Sequence, residues 1–142
     1  MSFDTLGLSE KVLTAVKDAG FTEPTKIQAE AIPPALERKD VLGLAQTGSG
    51  KTAAFTLPML HILEKGRARA RMPRTLILEP TRELAAQVHE AFELLGKNHK
   101  LNIALLMGGV SFEEQNRKID RGADVVIATP GRLLDHVERG KL

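Results

Sequence analysis

Eight residues carry the sharpest chemical signal: Ala45-Gln46-Thr47-Gly48-Ser49-Gly50-Lys51-Thr52. They match the phosphate-binding pattern G-x-x-x-x-G-K-[ST], with Ala45 in place of the first glycine. Gly48 and Gly50 let the backbone curl so that successive N–H groups point inward at phosphate oxygens. A helix starting near Lys51 adds its positive end. Lys51 supplies a movable charge for β- and γ-phosphates, and the Thr52 hydroxyl can ligate Mg²⁺. The bland alternative is a glycine-rich turn with an exposed lysine. Position argues against it, because the loop lies between an apolar stretch and a helical one.

A second candidate is Gln28, in Gly20-Phe21-Thr22-Glu23-Pro24-Thr25-Lys26-Ile27-Gln28. One reading is a capping box, with Thr25 capping a helix and Gln28 reaching back to the Thr25 N–H. The other uses the Gln28 amide as a paired donor and acceptor, which suits the N6/N7 edge of adenine. Spacing by itself favours the cap.

Two further segments, Pro80-Thr81-Arg82 and Thr129-Pro130-Gly131-Arg132, each follow an apolar stretch and open a helical one. Ligands of open α/β sheets bind beyond the carboxyl ends of strands. Thr81 and Thr129 can cap those helices while free N–H groups face a phosphate, and Arg82 and Arg132 add charge. Plain capping with a surface arginine competes evenly with that reading.

The elements that must position these groups follow from periodicity. Helical spacing covers 9–19, with Gly20 as its stop. Thr25 opens a second helix, which Pro33-Pro34 is expected to break or restart. A strand at Val41–Leu44 leads into the glycine-rich turn and a helix from Lys51 to about 65. Strands follow at 75–78, 102–106 and 124–128. The helix after Pro80-Thr81 carries an expected apolar stripe of Leu84, Val88, Ala91, Leu94 and Leu95 and ends at Gly96. A polar helix spans about 111–119, and the last runs from Arg132 to about 138. Strands alternating with helices predict an α/β fold with a parallel sheet covered on both faces. The basic run Lys65, Arg67, Arg69, Arg71 and Arg74 reads as a solvated connection.

The 142 residues suit one domain, with 42% hydrophobic and 27% charged. Net charge is only +2, so anion binding depends on local placement. The absence of cysteine removes disulfides, zinc–cysteine sites, iron–sulfur clusters and thiol nucleophiles, and suits a reducing compartment. Five Phe with no Trp or Tyr leave few platforms for base stacking. No signal peptide or membrane span is visible, so a cytoplasmic protein is expected.

Taken together, the motifs resemble those of the DEAD-box ATP-dependent RNA helicases, of the bacterial type. Residues 20–28 are similar to that family's Q motif, with Phe3 as its isolated upstream aromatic and Lys26 where the family commonly has proline. Residues 45–52 match its motif I, including Ala45. Pro80-Thr81-Arg82-Glu83-Leu84-Ala85 is similar to motif Ia, Gly108-Gly109 to the glycine doublet, and Thr129–Arg132 to motif Ib. The resemblance implies a P-loop, RecA-like fold, with a Q-motif helical region at 1–36 and a βαβ core at 41–142. It implies ATP and Mg²⁺ as cofactors, adenine read by Gln28 with Phe21 against the base, and phosphates held by Ala45 to Thr52. It also implies that Pro80, Thr81, Arg82, Gly108, Gly109, Thr129, Pro130, Gly131 and Arg132 hold an RNA backbone. Backbone contact carries little sequence information, so sequence-independent binding of single-stranded or duplex RNA is expected.

Several family elements are missing from these residues: Asp-Glu-Ala-Asp, the later Ser-Ala-Thr, and the second RecA-like domain with its arginine fingers. Glu79 ends a strand alone and is a poor substitute for a magnesium-site acid. The chain is therefore expected to be part of a helicase whose 142 residues bind without useful turnover. Other P-loop ATPases and a purely binding module are the rival classes.

Overall fold

The computed structural model describes residues 2–46, 48–65 and 73–142. Thr47 and most of the basic run lie outside the described residues. The chain divides into two compact units, residues 2–65 with 91–100 and residues 73–90 with 101–142.

The first unit is helical. A 3-10 turn, Phe3–Thr5, precedes α1 (Glu10–Asp18), α2 (Lys26–Leu36) and α3 (Lys51–Leu63). Ser9 caps α1 by accepting from the Val12 N–H. Gly20, at φ +84°, ends it, and the Phe21 N–H returns to the Val16 carbonyl at 3.1 Å. That geometry needs a left-handed residue, which glycine adopts without a Cβ penalty. Both α1 and α2 pack on α3. Val12, Val16, Ile32, Leu57 and Leu60 are among the buried side chains of this unit.

Two expectations fail here. α2 runs through Pro33-Pro34 to Leu36. Proline removes its own N–H but not its carbonyl. The Pro33 and Pro34 carbonyls accept from Glu37 and Lys39, and the helix closes with Arg38 at φ +63°. The strand expected at Val41–Leu44 does not form. Those residues are in no regular element, and Leu42 and Leu44 are 87% and 85% exposed. A strand exists only through a hydrogen-bonded neighbour, and no described strand pairs with this segment.

The second unit holds the parallel sheet: β1 (Thr75–Leu78), β2 (Ile103–Leu106) and β3 (Val125–Ala128), in the order β1-β3-β2. Val125 is level with both Thr75 and Ile103. The central β3 is buried along its whole length, whereas edge strand β1 buries Ile77 and exposes Leu76 and Leu78. α5 (Phe112–Asp120) packs on β2, with Ile119 in a core formed by Ala104, Leu106, Ala123, Val126 and Ala128. α6 (Pro130–Glu138) follows β3.

α4 (Arg82–Leu95) runs between β1 and β2 in the chain. It buries Ala85, Val88, Phe92 and Leu95 and leaves Leu84 and Leu94 exposed. At about 100° per residue, this face is rotated roughly 65° from the expected stripe. Leu94 lies about 120° around the helix from Val88. Two apolar stripes compete along this helix, and packing chooses the one containing the ring of Phe92. No helix among the described residues is long and apolar enough to cross a membrane.

Candidate functional site

The glycine-rich loop ends as a tight turn. Gly48 and Gly50 sit at φ +84° and +85°, and the Ser49 N–H donates to the Gln46 carbonyl at 3.2 Å. Gly50 is the N-cap of α3, so its left-handed backbone places Lys51 and Thr52 in the first turn. Lys51 is exposed, and its Nζ donates to the Ala45 carbonyl at 3.3 Å, across the mouth of the loop. Ser49 Oγ is buried without a hydrogen-bond partner among the described residues. An orphaned hydroxyl, a movable cation and a helix N-terminus in one turn fit an anion of phosphate type. Thr52 is half-buried beside them and supplies one neutral oxygen. Among the described residues no group of three or more His, Asp or Glu could hold a metal ion. The Thr52 hydroxyl is an oxygen donor of the kind that Mg²⁺ takes.

Gln28 satisfies its capping role and goes beyond it. Its Oε1 accepts from the Thr25 N–H at 2.9 Å, and Thr25 Oγ1 accepts from the Gln28 N–H at 3.4 Å. Its Nε2 donates to the Gly50 carbonyl at 3.1 Å. The side chain is 4% exposed, and this bond ties the stretch 20–28 to the glycine-rich loop. An amide retains a second lone pair and a second N–H beyond these bonds. Thr25, Lys26, Ile27, Glu30, Leu44, Ala45 and Ser49 surround a depression of about 480 Å³ between this stretch and the loop. Phe21 is half-buried, and its ring lies 6.3 Å from that of Phe3.

Within the second unit, the other candidates gather at one end of the sheet. Pro80–Arg82, Gly108-Gly109 and Thr129–Arg132 follow the carboxyl ends of β1, β2 and β3. Because the strands are parallel and in register, all three segments emerge together. Thr81 Oγ1 caps α4 by accepting from the Leu84 N–H at 3.2 Å. Arg82 is exposed and lies against Gly109, at φ +83°, where a β-carbon would sit 3.1 Å from Arg82 Nη1. Thr129 is the N-cap of α6, with Pro130 in the first turn, but its side chain makes no capping bond.

Arg132 is placed differently from Arg82. Its side chain is 11% exposed. Nη1 donates to the Val110 carbonyl at 3.1 Å, and the guanidinium lies 3.9 Å over the Phe112 ring. It holds the chain between β2 and α5 rather than facing outward.

Sequence reasoning missed a buried polar group beside it. Gln115 and His136 are both buried, with His136 Nε2 2.6 Å from Gln115 Oε1. Burial lowers the His136 pKa, and the Arg132 and Arg139 charges lower it further, against a smaller pull from Asp135. A neutral ring then donates from Nε2 to the Gln115 oxygen. The signal was present at Phe112, Gln115 and Ile119, one face of an otherwise polar helix.

The family model for DEAD/DEAH box helicases matches residues 25–142. The ATP-dependent RNA helicase DeaD of Klebsiella pneumoniae is 48% identical over 99% of this chain and 22% of its own. SrmB of Escherichia coli, also named an ATP-dependent RNA helicase, is 49% identical over 96% of this chain and 31% of its own. The crystal structure of a DEAD box protein from the hyperthermophile Methanococcus jannaschii superposes with a TM-score of 0.90. It is 40% identical, covering 100% of this chain and 38% of that one. The chain thus spans about a fifth to a third of the length of these curated relatives. With that match over residues 25–142, the chain belongs to the DEAD/DEAH box helicase family.

Proposed function

We propose that this chain is the ATP-binding and RNA-backbone-binding part of an ATP-dependent RNA helicase. The intact protein couples ATP binding and hydrolysis to local unwinding of RNA, with a second RecA-like domain as partner. Residues 1–36 form the Q-motif region and 41–142 the βαβ core of the first such domain. Cysteine-free composition suits the cytoplasm.

The observation that carries this reading is the bond from Gln28 Nε2 to the Gly50 carbonyl. It joins a group able to read adenine to the loop that holds phosphates, so base and phosphate recognition share one rigid junction. Phe21 packs against the base. Ala45, Gln46, Thr47, Gly48, Ser49 and Gly50 line the phosphates, Lys51 neutralises them, and Thr52 ligates Mg²⁺. Mg²⁺ supplies charge neutralisation when bound.

In the second unit, Pro80, Thr81, Arg82, Gly108, Gly109, Thr129, Pro130, Gly131 and Arg132 form the RNA surface. Arg82 contacts phosphate directly. Arg132 acts from behind, through the Val110 carbonyl that it holds. Such contacts read backbone, and binding is sequence-independent.

For the chain by itself we infer binding without turnover. Thr52 is the sole metal-ligating group that we assign, and among the described residues no acidic cluster joins it. The test is titration of the chain with ATP and GTP, and of RNA-stimulated ATP hydrolysis in the intact protein. Binding with an ATP preference, and hydrolysis only in the intact protein, is the expected result. Equal affinity for both nucleotides removes the Gln28 reading.

A further inference from the structure

Gln115 is a charge-neutral polar side chain that is 3% exposed, and nothing in the proposed RNA surface includes it. Its bonds run in two directions. Nε2 donates to the Met107 carbonyl at 3.0 Å. Oε1 accepts from His136 Nε2 at 2.6 Å and, at the longer distance of 3.5 Å, from Arg132 Nη1. Arg132 Nη1 also donates to the Val110 carbonyl. The residues on either side of Gly108-Gly109 are therefore held through their carbonyls, Met107 by Gln115 and Val110 by Arg132. Those two holders share the Gln115 oxygen. Arg132 and His136 are four apart on α6, on one face of the helix.

The arrangement has one consistent proton assignment. Gln115 must present oxygen to α6 and nitrogen to Met107, because Arg132 can only donate and a carbonyl can only accept. His136 then donates from Nε2. The Phe112 ring closes the group, with the Arg139 guanidinium 3.5 Å from its centroid and the His136 ring 5.2 Å away.

We propose that Gln115 is a positioning residue of the RNA surface. With His136 and Arg132 it brackets the Gly108-Gly109 loop against α6, so the loop and the start of that helix meet RNA at one fixed spacing. A glycine doublet has no side chains of its own to anchor it and loses more conformational freedom on ordering than other residues. An external bracket supplies the missing restraint, and a buried amide can hold the loop and the helix at once. The inference rests on the reading of both segments as RNA-binding.

The experiment compares the full chain with its Gln115→Glu and Gln115→Met variants, using a single-stranded RNA of mixed sequence and ATP as probes. Glutamate keeps the acceptor for Arg132 and His136 and loses the donor to Met107. Methionine keeps the bulk and loses both. We expect RNA affinity to fall about tenfold in each, with ATP affinity unchanged. Amide hydrogen exchange at Gly108, Gly109 and Val110 rises in both variants. Unchanged RNA affinity in either folded variant overturns the positioning role. In the unmodified protein, RNA protects the amides of 108–110 and 131–133 together. If it protects neither, the RNA-binding reading fails instead, and the two failures stay distinct. Should both variants unfold, backbone order parameters of the unmodified protein decide. Values near 0.85 at Gly108 and Gly109 are expected, and values below about 0.6 overturn the bracket.

Discussion

Gln28 lies so close to Gly50 that the two act as one joint: its amide nitrogen donates to the Gly50 carbonyl at 3.1 Å. A β-carbon on Gly50 would overlap that nitrogen and the Thr25 hydroxyl, on a backbone already at φ +85°. At Gly48 the φ is nearly the same, but nothing lies within 4 Å of such a β-carbon. Gly48→Ala should therefore cost only its left-handed backbone, about 1–2 kcal/mol. Gly50→Ala should cost more and detach the 20–28 stretch from the loop. Chemical denaturation of both variants checks this, and equal losses would show that the joint contributes nothing.

Gln28→Ala removes the joint from the other side. The Gly50 carbonyl keeps the Ala54 N–H but loses its side-chain donor, at about 0.5–1.5 kcal/mol, and the capping box opens. The preference for ATP over GTP should shrink with it. Gln28→Glu separates the roles, because it keeps an acceptor for the Thr25 N–H and cannot donate to Gly50. If the ATP preference survives both changes, Gln28 serves as a helix cap and loop anchor only.

Lys51→Ala should lower triphosphate affinity with little effect on folding. The amine is exposed and bonds only weakly to the Ala45 carbonyl in the free loop. A charged hydrogen bond contributes roughly 1.5–3 kcal/mol, equivalent to about a 10- to 150-fold loss. Calorimetric titration with ATP reads it directly, and unchanged affinity would remove the phosphate-loop assignment.

The two arginines of the proposed RNA surface should part company. Arg82→Ala should leave stability within about 0.5 kcal/mol, because the side chain is exposed. It should flatten the salt dependence of single-strand RNA binding by about 0.7 in log–log slope. Arg132→Ala leaves the Val110 carbonyl without its donor and uncovers Phe112, at about 1–3 kcal/mol of stability. Thermal unfolding beside RNA titrations at several salt concentrations separates them.

Acid should weaken both units, at different pH. His136 is held neutral, below its ordinary 6.5, so the unfolded chain binds the extra proton first. Its contribution is complete above pH 6.5 and is lost as pH falls below that. At Glu64 burial raises the carboxyl pKa, but hydrogen bonds from the Ser9 hydroxyl and His99, with the His99 and His61 charges, bring it below its ordinary 4.5. That contribution is present above pH 4.5 and disappears as pH falls further through the folded value. Denaturation midpoints followed from about pH 7.5 down to about 2.5 should fall in two stages, the first abolished by His136→Phe.

Local chemistry was legible in the residues themselves. The strands at 75–78, 103–106 and 125–128 are short apolar runs between turn signals, and they form within a residue of expectation. The Thr25–Gln28 box and the Gly20 stop depend on neighbours three to five positions away, so they too could be read along the chain. The tight turn at Gly48–Gly50 and the start of α3 at Lys51 belong with them, since those residues are contiguous.

What tertiary structure alone decided depends on partners distant in the chain. Val41–Leu44 has the composition of a strand but no described neighbour to bond, and composition cannot provide one. α4 carries two overlapping apolar stripes, and only packing selects Ala85 and Phe92 over Leu84 and Leu94. Arg82 and Arg132 occupy equivalent places after their strands, yet one is exposed and the other turns in to Val110 and Phe112. Gln115 and His136 are twenty-one residues apart and read singly as surface polar groups. The fold buries them together, and burying a polar amide or imidazole is costly unless it is hydrogen-bonded, so each supplies a partner for the other.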